Sequence, residues 1–91
     1  MTDRNSDINR MALRAQELAQ TKTVELTSDD HSIRVVAAPG GGVKELELNH
    51  RAYGMSGAEL GPRILALLQE AQQRVDDELQ DEIAAVFTEE A

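Results

Sequence analysis

The sequence predicts an α+β protein of order α-β-β-β-α, with a three-stranded antiparallel meander and a long C-terminal helix, assembled as a dimer. Three patterns carry this expectation. Apolar residues recur at steps of three and four over residues 8–19, at a period of two over 23–48, and again at three and four from about residue 60 to Phe87. With 91 residues, the chain buries only about 60 to 65% of its unfolded surface, so a single protomer has a small core.

Met1 to Asp7 are polar and aperiodic and are expected to be flexible. One domain is expected over residues 8–87, with 88–91 fraying. Ile8, Met11, Ala12, Ala15, Leu18 and Ala19 form one helical stripe, with Ser6 or Asp7 as N-cap and an end near Gln20. About four turns of helix do not stand alone in water and must dock. Thr23 to Thr27 alternate, Ser28-Asp29-Asp30 supplies turn chemistry, and Ser32 to Ala38 resume the alternation, which reads as a hairpin. Pro39-Gly40-Gly41-Gly42 breaks the pattern, and Val43 to Leu48 form the third strand. Val43 is out of phase with Leu46 and Leu48, so a bulge or a late strand entry is expected near Gly42. Asn49 to Met55 is a connection whose apolar tip, Tyr53, is expected to pack back under the sheet.

Ser56-Gly57-Ala58-Glu59 fits a capping box, while Gly61-Pro62 offers an alternative start, with Pro62 at the first helical position. From either start, Ile64, Leu67, Leu68, Ala71, Val75, Leu79, Ile83, Val86 and Phe87 keep helical spacing. A helix of 25 to 30 residues is roughly 40 to 45 Å long, whereas the strands are only about 20 Å long. Half of the helix therefore overhangs its sheet while still carrying apolar residues. The first helix covers part of that seam, and a second copy is the economical cover for the rest. Leu67, Leu68, Val75, Leu79 and Ile83 are the candidate dimer interface.

Charge narrows the function. Nine Lys and Arg against 17 Asp and Glu give a net charge of −8, which argues against a polycation coating nucleic acid or anionic membrane. The absence of Cys rules out disulfides, thiol catalysis and Cys-based zinc sites. No apolar run nears the roughly 18 residues of a membrane span, and no secretory pattern opens the chain, so a cytoplasmic protein without membrane contact is expected. His31 and His50 lack metal-ligand spacing, and Gly40-Gly41-Gly42 lacks the Lys-Ser/Thr and helix of a phosphate loop. No metal, cofactor or catalytic residue is implied, and Asp76, Asp77, Glu78, Asp81 and Glu82 read as a solvated helix face.

The segments Thr23-Val-Glu-Leu-Thr, Ser32 to Leu48 with its Pro-Gly-Gly-Gly-Val-Lys-Glu-Leu-Glu-Leu run, and Ala58 to Gln72 resemble the YbaB/EbfC family of bacterial nucleoid-associated proteins. The resemblance covers about residues 20 to 85. It implies a dimer built around the sheets with projecting helices, DNA binding, a nucleoid location and no enzymatic activity. The N-terminal helix is shorter than is usual in that family, and Ser56 to Ala91 carry Arg63 and Arg74 against nine acids. The segment that is not net acidic is Met1 to Lys22, so Arg10 and Arg14, one turn apart, with Lys22 and Arg4, are the candidate phosphate-binding residues. Neither aromatic is placed with basic residues as a stacking platform, so low sequence specificity is expected. The alternative is a protein-interaction adaptor, like the secretion-associated YbaB-like proteins, that uses the acidic helix for a protein partner.

Overall fold

The computed structural model describes residues 3–89, with the side chains of residues 6–88. The order is α1 (Asp3–Thr21), β1 (Val24–Thr27), β2 (Ile33–Ala38), a 3-10 turn (Pro39–Gly41), β3 (Gly42–Leu48), α2 (His50–Tyr53) and α3 (Gly57–Glu89). The strands form one antiparallel sheet in the order β1-β2-β3. The α-β-β-β-α order with its long last helix is the one the periodicities predict.

Two side-chain devices hold the first hairpin. Ser28 N donates to Ile33 O at 2.9 Å, and Ile33 N donates to the Ser28 hydroxyl at 3.0 Å. The Asp30 carboxylate accepts from the Ser32 hydroxyl at 2.6 Å, the Ser32 amide at 3.0 Å and the Ser28 hydroxyl at 2.9 Å. Led by the Ser32 hydroxyl, these bonds hold the Asp30 carboxyl well below the usual carboxylate range. The second hairpin turns through Gly40 and Gly41 at φ 79° and 86°, a region that favours glycine. It docks on α3, where Gln72 Nε2 donates to Gly42 O at 2.9 Å and Gly40 N donates to Asp76 Oδ1 at 3.3 Å.

Of the two readings near Gly42, the bulge is present. Val36 pairs with Glu45 but Ala37 pairs with Val43, which leaves Lys44 as the extra residue. A one-residue insertion reverses the pleat, so Val43 joins Leu46 and Leu48 on the face that looks toward α3. On that face Val24, Ile33, Val35 and Ala37 meet Ala71 and Val75 of α3, with Leu60, Ile64, Leu67 and Leu68 packed around them. The opposite face is polar, where the Arg34 guanidinium bonds Glu25, Glu45 and Glu47.

Ser56 caps α3. Its hydroxyl accepts from Glu59 N at 3.2 Å and lies 3.5 Å from the Glu59 carboxylate. The capping-box start is therefore the one used, and Gly61-Pro62 falls inside the helix. Pro62 has no N–H for the Ala58 carbonyl, and Gly61, lacking a Cβ, avoids the clash a proline ring imposes on the residue before it. At 33 residues, α3 is about 50 Å long. The molecule measures 64 × 17 × 17 Å with a radius of gyration of 17.8 Å, against about 12 Å for a compact chain of this length. It is a rod.

Two expectations fail here. Asp3 to Asp7, expected to be loose, are helical. Apolar spacing marks where a helix is covered, whereas a helix once nucleated continues through polar residues at little cost. Tyr53, expected beneath the sheet, is 76% exposed, and Ala52 is buried in its place. A helical turn at His50–Tyr53 directs adjacent side chains about 100° apart, so only one of the two points inward.

Two substitutions test these contacts by urea unfolding. Val75→Ala is expected to cost about 2 kcal/mol through lost burial and an unfilled cavity. Pro62→Ala is expected to stabilise by about 1 to 3 kcal/mol, because it restores an amide to the helix ladder.

Candidate nucleic-acid interface

DNA affinity rests on cations that are not already neutralised, so the placement of each Lys and Arg decides the candidates. On α3, Arg63 meets Asp30 at 3.7 Å and Arg74 meets Glu70 at 3.4 Å. In the sheet, Arg34 is held by three glutamates, which raise its pKa with Glu25 as the leading cause. These arginines are occupied by carboxylates.

Lys22 is occupied as well. Its ammonium sits 2.9 Å from Glu78 and 3.3 Å from Glu82, with the side chain only 19% exposed. The Glu78 bond is the largest cause of its raised pKa. The sequence marks Lys22 as a phosphate ligand, but the fold uses it as a strut between the end of α1 and the far half of α3. The reason is topological: the hairpin brings residue 22 beside a helix turn some 60 residues later, a pairing that local charge counting does not contain.

Arg10 and Arg14 differ. Both are exposed on α1, one turn apart. Arg10 reaches Asp7 only at 3.9 Å, and among the described residues Arg14 has no ion pair. Arg4 lies in the first turn of α1, and its side chain falls outside those described. Met11, Ala15 and Leu18 are half-buried along the opposing stripe, as are Leu79, Ile83 and Val86 of α3. Packing of α1 on α3 thus leaves the arginines on the flank facing water.

The five residues marked for a dimer interface are largely used within the protomer. Val75 is fully buried, Leu67 and Leu68 pack on the core, and Leu79 and Ile83 are half-buried beyond the sheet, where α1 packs. Apolar surface remains elsewhere. Because α3 lies over β1 and β2, Leu46 is 46% exposed and Val43 47%, on the helix-facing side of β3. Leu65, two turns before Gln72 on the same flank of α3, is 56% exposed.

The sequence profile of the YbaB/EbfC DNA-binding family matches residues 1–90. The chain belongs to this family. No curated protein matches it. The family is a DNA-binding, nucleoid-associated one. No described helix is long and apolar enough to cross a membrane. His31 and His50 are both exposed, and among the described residues no three His, Cys, Asp or Glu side chains group to hold a metal ion. Tyr53, expected from the sequence to lie apart from basic residues, shares the exposed surface of α2 with His50 and Arg51. The signal was present, since no acid occurs between Asn49 and Ala58.

The strut has a pH signature. A lysine whose folded pKa is raised adds stability that is full below its ordinary value of 10.5 and is lost as pH rises through the folded value. Melting followed by circular dichroism is expected to fall more steeply above about pH 10 for the native chain than for Lys22→Met. Equal slopes would remove the role assigned to Lys22.

Proposed function

We propose that this protein binds DNA with low sequence specificity as a homodimer in the bacterial nucleoid, with Arg10 and Arg14 of each protomer gripping phosphates. The observation that carries the reading is the exposure of these two arginines, one turn apart, on a family member whose described cations on α3, at Arg34 and at Lys22 are held by carboxylates. Phosphate contact by paired arginines carries no base information, so sequence discrimination is weak. The acidic face of α3 repels the duplex and orients α1 toward it. The reading assigns no catalytic step.

The dimer is supported by the exposure of Val43, Leu46 and Leu65, apolar side chains that a second copy would cover at the open edge of β3. Twofold symmetry doubles the arginine pair, giving four phosphate contacts. A second reading draws on the groove of Glu70, Asp77, Glu78 and Asp81 around Arg74, which suits a basic protein partner and makes the chain an adaptor.

Gel retardation of mixed-sequence DNA across a salt series separates these readings. A dimer with four contacts is expected to give a slope of log K against log salt of about −3.6, and a monomer about half that. Arg10→Glu with Arg14→Glu is expected to weaken binding at least tenfold, and a result indifferent to this reversal refutes the site. Leu46→Asp is expected to halve the mass seen by light scattering. A native chain that is already monomeric refutes the dimer.

A further inference from the structure

We propose that α2 forms a second DNA contact, in which Arg51 takes a phosphate and the Tyr53 ring stacks on an unpaired base. The proposal rests on the DNA-binding reading and adds a contact at the opposite end of the rod. The topology sets that separation. Val24 of β1, where the chain leaves α1, pairs with Ala37 at one end of the sheet, whereas Leu48 pairs with Ile33 at the other and leads directly into α2.

The corner is rigid. Asn49 Oδ1 accepts from Arg51 N at 2.9 Å, Asn49 Nδ2 donates to His31 O, and Asn49 N donates to Ser32 O at 3.0 Å. Gly54 N closes the turn on Arg51 O at 3.2 Å, and the fully buried Ala52 pins it beneath. A fixed scaffold that holds an aromatic ring out in water loses little conformational entropy when the ring finds a flat apolar partner.

The charge selects the partner. In a chain of net charge −8, the ten residues Asn49 to Ala58 contain no acid and include His50 and Arg51. Among the described residues Arg51 has no ion pair. Arg51 and Tyr53 stand on the two flanks of the inward Ala52, and an exposed cation and an exposed aromatic on one corner suit a single strand, where the backbone is tracked electrostatically and bases stack on rings.

The chain has one Tyr and no Trp, so its tyrosine emission reports Tyr53 alone. The full chain is titrated with a mixed-sequence single-stranded oligonucleotide of about 20 nucleotides, gel retardation is run in parallel, and free tyrosine controls for absorbance by the DNA. Quenching that follows retardation is expected. Arg51→Glu and Tyr53→Ala are each expected to weaken binding about fivefold, the lower end of what one base stack contributes, while Tyr53→Phe retains it. Retardation with unchanged emission overturns the corner and leaves the α1 site standing. Emission that changes with protein concentration in the absence of DNA overturns it by placing the ring between two copies. No retardation at all removes both proposals.

Discussion

A helix of 33 residues against strands of at most seven is the constraint from which the rest follows. Only the stretch of α3 from Leu60 to Val75 packs on the core of the sheet. The remainder keeps an apolar seam that water would otherwise face, and α1 is the element placed to cover it. That need turns a short amphipathic helix into an arm along the rod, and it puts Lys22 between Glu78 and Glu82.

The same geometry sorts the charges. Asp76 takes Gly40 N of the second hairpin turn and Glu78 and Glu82 take Lys22, while the remaining described acids of α3 are exposed. Arg10 and Arg14 lie on an element that touches only the far half of α3, on the flank turned from its seam. A strongly acidic protein can in this way present separate cationic points, on α1, at Lys44 of β3 and at α2. Phosphate binding needs local and not global positive charge, because fields at an exposed surface are screened within about 10 Å at ordinary salt.

Coverage of the sheet is uneven for a related reason. One helix about 10 Å across cannot shelter three strands spaced about 4.8 Å apart. Centred on β1 and β2, α3 leaves Val43 and Leu46 bare on β3. The bulge at Lys44 sharpens the exposure, since it returns Val43 to the helix-facing side. Apolar surface at an unpaired sheet edge is a feature that soluble proteins normally cover.

By itself the sequence determined the element order and the two hairpins, because each is written in near-neighbour chemistry, a period and a glycine run; it offered Ser56 and Gly61-Pro62 as rival helix starts, and the structure chose Ser56. The sequence also marked Arg10 and Arg14, whose value lies in having few acids nearby along the chain. What only the tertiary structure decided is which residues are already in use. Lys22 looked free until Glu78 and Glu82 came beside it, and of Leu67, Leu68, Val75, Leu79 and Ile83 the fold buries Val75 and leaves the other four half-buried. Tyr53 looked buried until a single helical turn gave the inward direction to Ala52. Whether a charge is neutralised or a side chain covered depends on groups distant in sequence, and that information exists only once the chain has folded.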